Sequence, residues 1–163
     1  SDLAKESVTN ISAVVKKLTG KDIQDYDLHV QFPGTHNVDG DSASITMATA
    51  IISAFEGVPI DQNLAMTGSL SVRGEVLPIG GVSAKIEAAV KSGIERVIIP
   101  RSNLQDVLID EKYEAMVEVL PVDSLDEVLQ HALVGAEEKV TLVERLANVI
   151  DTISSGVDTQ PSA

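Results

Sequence analysis

Asp39-Gly40-Asp41-Ser42-Ala43-Ser44 ends a polar, glycine-containing loop and opens an apolar stretch in which Ile45, Ala48, Ile51, Ile52 and Phe55 recur at helical spacing. A serine at such a junction stands where backbone N–H groups point outward without intrahelical partners. A nucleophilic hydroxyl and an oxyanion site can share one turn there. Taken alone, the stretch reads as a plain N-cap, the common use of Ser and Asp before a helix. A second pattern downstream, Thr67-Gly68 through Gly80-Gly81 to Lys85, opens the other reading.

The bulk properties set the frame. A chain of 163 residues is one ordinary domain with room for a real core. With 44% hydrophobic and 23% charged residues it is globular, and with 2% aromatics its core must be built from Val, Ile, Leu and Ala. No run approaches the length of a membrane helix and no signal-peptide pattern opens the chain. The absence of cysteine excludes disulfides, thiolate zinc sites and a cysteine nucleophile, and fits a reducing compartment. A net charge of −13 argues against a nucleic-acid surface, because phosphates are repelled, and it equally fits a salty cytoplasm.

Working outward, residues 2–19 read as an amphipathic helix with Ala4, Val8, Ile11, Val15 and Leu18 on one stripe and Gly20 as its stop. The chain opens inside an element, so a piece of something longer is expected. Asp27 to Phe32 alternate, which predicts a half-buried strand ended by Pro33-Gly34. The loop Thr35–Asp41 and a helix over 42–56 follow, the helix closed by Gly57 and Pro59. Leu64 to Ile79 predict paired strands turning at Arg73-Gly74-Glu75. Gly80-Gly81 is a flexible break before a helix over 82–92, with Lys85 in its first turn. Arg96 to Pro100 predict a buried strand. Ser102 is placed to cap a short helix carrying Leu104, Val107 and Leu108. Residues 117–122 predict another strand, and Ser124 with Glu127 shows capping-box spacing before a helix. A last helix is expected over 141–153 and a frayed tail over 154–163. The alternation of strands and helices predicts a mixed α/β (α+β) fold in one domain.

Three familiar catalytic patterns are absent: Gly-x-Ser-x-Gly, His-Glu-x-x-His and a phosphate loop ending Gly-Lys-Ser/Thr. His29, His36 and His131 lack ligand partners at helical spacing, so no metal site is expected. Ser42 and Lys85 remain. A serine needs a base, and lysine serves if its amine is neutral. That requires a pKa brought from about 10.4 toward roughly 7–8. The positive end of the helix dipole and the apolar neighbours Ile86 and Ala88-Ala89-Val90 both act in that direction. The Thr67 hydroxyl could hold the amine. Singly, each residue also has a plain reading: a solvated first-turn lysine, and a threonine present for β propensity.

Together, Asp39-Gly40-x-Ser42-Ala43, Met66-Thr67-Gly68 and Arg73-Gly74-x-Val76-Leu77-Pro78-Ile79-Gly80-Gly81-x-x-x-Lys85 resemble the proteolytic domain of the ATP-dependent protease Lon. The likeness covers about residues 26–133, within a proteolytic domain expected over 1–153. It implies the fold of that domain, small mixed sheets with packed helices. It implies that Ser42 is the nucleophile and Lys85, 43 positions later, its base, with Thr67 supporting the lysine. It further implies a Ser-Lys serine endopeptidase working on unfolded or damaged proteins, an AAA+ ATPase module preceding this domain and a six-membered ring. ATP and Mg belong to that module and no cofactor to this one.

Asp41 stands where bacterial members carry proline, and Gln31 follows His29 where they carry a second histidine. Both departures, with Gly34-Thr35-His36-Asn37-Val38, resemble the archaeal LonB branch. That branch implies membrane-spanning helices in the ATPase part and a domain held at the cytoplasmic side. Asp39 is then either an orienter of Lys85 or its partner in a salt-bridged resting state, because a carboxylate favours the charged amine. Asp41 poses the same question; it can also crowd the oxyanion, or simply favour a helix N-terminus. Two other functions fit less of the pattern. A non-catalytic Lon-like scaffold or oligomerisation module need not keep Ser42, Lys85 and Thr67 together, and a small-molecule domain rests on Gly80-Gly81 alone.

Overall fold

The computed structural model describes residues 2–34, 40–135 and 137–155. In chain order the elements are α1 (Asp2–Thr19), α2 (Ser44–Glu56), β1 (Leu64–Met66), β2 (Ser69–Leu70), β3 (Val76–Leu77), α3 (Val82–Lys91), β4 (Arg96–Pro100), α4 (Glu111–Glu114), β5 (Glu118–Val122), α5 (Leu125–Ala132) and α6 (Glu137–Ser155). Single 3-10 turns lie at Ile23–Asp25 and Arg101–Asp106.

β1, β4 and β5 form a parallel sheet in that order, with Ala65 opposite Val97 and Val97 opposite Val119. Parallel strands need crossover connections. α3 lies in the first crossover, and the Arg101–Asp106 turn with α4 in the second. Both faces of the sheet are covered, which is why β4 reads as the unbroken apolar run Val97-Ile98-Ile99. Period-2 alternation divides the side chains between two cores. Leu64, Met66, Ile98, Leu120 and Val122 join α1, α2, α5 and α6 on one face. Ala65, Val97, Ile99 and Val119 meet Val82 and Ile86 of α3 on the other. β2 and β3 make a separate antiparallel hairpin. Its tip is tied to the start of α5, Leu125 N–H donating to the Gly74 carbonyl at 2.9 Å and Val76 N–H to the Asp123 carbonyl at 2.8 Å.

The expected mixed α/β architecture of small sheets and packed helices is observed. Several expected details are not. Asp27–Phe32 is not a strand: residues 24–34 are all exposed, with Leu28, Val30 and Phe32 between 37% and 49% accessible. Alternation supplies a face but not a partner, and no described strand pairs with this segment; its contact at the start is Tyr26 against the Phe55 ring, centroids 4.8 Å apart. On α1 the buried stripe is Ser7, Ile11, Val14, Val15 and Leu18, while Val8 is 50% exposed. α2 begins at Ser44, two residues later than expected. Leu64–Met66 belongs to the parallel sheet and not to the hairpin.

Ser102 caps nothing: the cap position is Pro100, and Leu104 and Leu108 point to solvent. Ser124 is the N-cap of α5 without a side-chain cap bond, and Glu127 Oε2 accepts from Asp123 N–H at 2.9 Å, one residue before the cap. α6 starts at Glu137 and includes Ser154 and Ser155, so helix replaces the first two residues of the expected tail. Residues 35–39 of the expected loop and 156–163 of the tail lie outside the described residues. No helix among the described residues is long and apolar enough to cross a membrane.

Ile98, fully buried in the central strand, should be far more costly to truncate than the surface leucines. Ile98→Ala is expected to lower unfolding free energy by about 2–5 kcal/mol. Leu108→Ala, at a side chain 83% exposed, should change it by less than about 0.5 kcal/mol. Urea midpoints of the two variants check the pair.

Candidate active site

Ser42 sits in the turn that leads into α2. Ser44 N–H donates to the Asp41 carbonyl at 2.9 Å, and the Ser44 hydroxyl donates to the same oxygen. Ser44 is buried and its hydroxyl also lies 3.1 Å from that of Ser7 on α1. The cap position of α2 is Ala43, so Ser42 is not the N-cap that its sequence context alone suggests. The first-turn N–H of Ile45 donates instead to the Gly68 carbonyl at 3.3 Å.

The other half of the site comes from the carboxyl end of β1, the end of open α/β sheets where ligands are commonly bound. Thr67 N–H continues the ladder to the Ile98 carbonyl at 3.0 Å. Met66 turns its side chain to the α2 core, so the next residue faces α3. The Ser42 carbonyl accepts two donors from this strand end, Gly68 N–H at 2.8 Å and the Thr67 hydroxyl at 3.1 Å. Gly68 is required by close approach: a Cβ there would lie 3.0 Å from both Ile45 Cδ1 and Val76 Cγ1.

Lys85 arrives from α3. Gly81 opens that helix with a φ of +69°, a left-handed conformation suited to glycine. Val82, Ile86 and Val90 are its buried stripe, and this fixes the rotation of the helix on β4. Lys85, beside that stripe, extends its ammonium to the Thr67 hydroxyl at 3.3 Å. The hydroxyl therefore donates its one proton to the Ser42 carbonyl and accepts from Lys85 through one of its two lone pairs. Burial lowers the Lys85 pKa; the Asp41 carboxylate raises it, and the burial effect is the larger. The tension expected from the sequence is present, and it resolves toward the neutral amine.

Ser42, Thr67, Lys85 and Asp41 are thus brought to one place by three separate elements. Asp39 lies outside the described residues, as does His36. His29 is exposed and His131 is half-buried on α5. Among the described residues no group of three or more His, Cys, Asp or Glu could hold a metal ion. Sequence reasoning passed over Ser7 and Asn103. The signal for Ser7 was available, because it sits at i−4 from Ile11 on the apolar stripe, where a polar residue needs a partner. Asn103, buried in a surface 3-10 turn, had no such signature.

The family described as Lon protease (S16) C-terminal proteolytic domain matches residues 1–135. The chain is 53% identical over 155 residues to an archaeal Lon protease of Methanothermobacter thermautotrophicus, covering 94% of this chain and 24% of that protein. It is 55% identical over 150 residues to the archaeal Lon protease of Halobacterium salinarum, covering 91% and 21%. With Lon protease 2 of Bacillus subtilis it shares 46% over 133 residues, 82% and 23%. The chain therefore spans about a quarter of the length of the curated relatives it matches.

Two outcomes follow from the balance at Lys85. Asp41→Asn removes the charge that favours the ammonium, so the Lys85 titration, followed by NMR of its side-chain carbon, should move further down. A lysine with a depressed folded pKa is protonated more readily in the unfolded chain. Stability should therefore rise with pH between that depressed value and the ordinary 10.5. Lys85→Met, which removes a partly desolvated charge, should stabilise the protein at neutral pH. Thermal melts at neutral and strongly alkaline pH should show the gain shrinking toward the alkaline end.

Proposed function

The chain belongs to the family of Lon protease (S16) C-terminal proteolytic domains, and from that premise we propose that it is a serine peptidase domain working by a Ser42–Lys85 dyad. The observation that carries this reading is the Thr67 hydroxyl, which joins the Lys85 ammonium on one side to the Ser42 main chain on the other. The residue that carries the nucleophile, the base and the group that orients the base are then tied together through the Ser42 main chain.

In the reaction Ser42 Oγ attacks a peptide carbonyl carbon while neutral Lys85 accepts the hydroxyl proton. The tetrahedral oxyanion is bound by backbone N–H groups of the turn at Ser42 and of the preceding loop. Collapse breaks the C–N bond, and Lys85 returns the proton to the departing amine, leaving an ester on Ser42. Water, deprotonated by the same amine, hydrolyses that ester and restores the serine. Thr67 keeps the amine in register by accepting its hydrogen bond. Asp41 opposes the neutral amine through its charge and so tunes the pH at which the base is free.

The substrates we propose are unfolded or damaged proteins, delivered by an AAA+ ATPase module of the same machine, which binds ATP and Mg. A ring of six such domains is the assembly proposed for it, with cytoplasmic-side placement and membrane attachment carried by other parts of the machine. This domain itself uses no cofactor.

Covalent labelling with a serine-reactive peptidyl probe, read by intact mass, tests the dyad. One adduct per chain is expected, mapped to Ser42 and absent in Ser42→Ala, with the labelling rate in Lys85→Ala reduced roughly 10³-fold or more. Full labelling of Ser42→Ala overturns the nucleophile, an unchanged rate in Lys85→Ala overturns the base, and no adduct at any pH leaves either a scaffold or a site held shut by Asp39 or Asp41.

A further inference from the structure

The pair Gly80-Gly81 stands between the hairpin and the helix that carries Lys85. Two successive glycines give the backbone its widest freedom, yet the ammonium four residues later meets one particular hydroxyl. The pair is anchored on both sides to the same short segment, the Arg101–Asp106 turn and the residues just after it. Before the pair, Asn103 Oδ1 accepts from Ile79 N–H at 2.8 Å and Asn103 Nδ2 donates to the Ile79 carbonyl at 3.0 Å. The side-chain amide thus grips one residue's backbone as a neighbouring strand would. Its second N–H donates to Asp106 Oδ2 at 3.0 Å, which sets which way round the amide lies. After the pair, the Ser83 hydroxyl donates to the Asp106 carbonyl at 3.0 Å and accepts from Leu108 N–H at 2.9 Å.

Asn103 is only 3% exposed, and the segment it grips packs with Val82 and Val107 in the core on the α3 face of the sheet. A buried amide with its acceptor and both donors engaged is rigid, and losing it leaves the Ile79 groups without partners. The two anchors act on the glycine pair from opposite ends and tie the first turn of α3 to the segment that follows β4.

We propose that Asn103 is a positioning residue for Lys85: together with Ser83 it holds the first turn of α3 so that the lysine ammonium meets Thr67. This deepens the serine peptidase reading and rests on it. A merely structural Asn103 would satisfy the backbone of Ile79 and do nothing else, and its loss would then cost stability without moving the lysine. Among the described residues the charged group acting on Lys85 is Asp41, from the turn before α2. Asn103→Ala and Ser83→Ala change no charge, whereas Asn103→Asp adds a carboxylate that itself favours the ammonium, so the two uncharged variants decide.

The variants are Asn103→Ala, Asn103→Asp and Ser83→Ala. Asn103→Asp keeps the shape but replaces the donors with oxygen facing the Ile79 carbonyl and Asp106. Ser83→Ala, at a half-buried site, removes the second anchor with little risk to folding. Two readouts are taken on folded protein: the NMR titration of Lys85, and the pH midpoint of Ser42 acylation by the peptidyl probe. Released from its place, Lys85 gains water. Its titration and the acylation midpoint should both move up, with kcat near neutral pH falling about 10- to 100-fold and KM little changed. Ser83→Ala should show the same directions at smaller amplitude. Folded variants with wild-type Lys85 titration and wild-type midpoint overturn the positioning role. A Lys85 titration that moves while the Ser42 midpoint stays upholds the anchor and instead removes Lys85 as the base. Should Asn103→Ala fail to fold, Ser83→Ala decides by the same two measurements.

Discussion

The carbonyl oxygen of Ser42 holds two donors at once, the Gly68 amide and the Thr67 hydroxyl. Those two bonds stitch the turn before α2 to the end of β1, and the geometry of the site depends on them. Without them Ser42 would lie on a loop with nothing to set its distance from α3. A carbonyl has two lone pairs, so saturating it leaves the turn little freedom to rotate. The Gly68 carbonyl then takes the Ile45 amide, and the helix start and the strand end become one rigid body. The absence of a side chain at Gly68 is what allows the approach, with Ile45 and Val76 already filling the space.

Lys85 shows how the fold decides between opposing electrostatic effects. The chain carries 25 acidic residues against 12 basic ones, and an average lysine in such a field stays charged. At this position desolvation outweighs the nearby Asp41 carboxylate. The burial comes from the rotation of α3, which Val82 and Ile86 set by packing on Val97 and Ile99. An apolar stripe therefore controls a proton affinity. The polar contact with Thr67 aims the amine, and the packing lowers its proton affinity.

That Ser42, Thr67 and Lys85 lie near one another was legible through the resemblance of their motifs to a known family, and their elements were legible from strong periodicity around Ile45–Phe55, Val82–Val90 and Val97–Ile99. What was not legible depended on partners that a sequence does not display. Alternation at Leu28, Val30 and Phe32 has the form of a strand, but pairing is a property of two segments. Glu127 has capping-box spacing from Ser124, yet its carboxylate takes the Asp123 amide one position earlier and also lies 3.8 Å from Arg101. Val8 and Ser7 differ by one step on a helix, or 100° of rotation; the buried stripe Ile11, Val14, Val15 and Leu18 carries Ser7 inward, where its hydroxyl meets that of Ser44, and leaves Val8 outside. Asn103 had no periodic neighbours to announce it, because its role is to pair with a backbone 24 residues away.

The parallel order β1-β4-β5 has a kinetic meaning as well. The bond from Thr67 to Ser42 closes 25 residues, that from Lys85 to Thr67 closes 18, and Asn10 of α1 reaches the Leu70 carbonyl across 60. Each closure costs chain entropy before any contact rewards it. The three side chains come from a pre-helical turn, a strand end and a crossover helix, so no hairpin or helix formed early contains more than one of them. A partly folded chain, on the ribosome or during local opening, holds no assembled site. For a domain whose proposed work is cutting unfolded polypeptide, that arrangement links the appearance of the cutting site to the completion of its own topology.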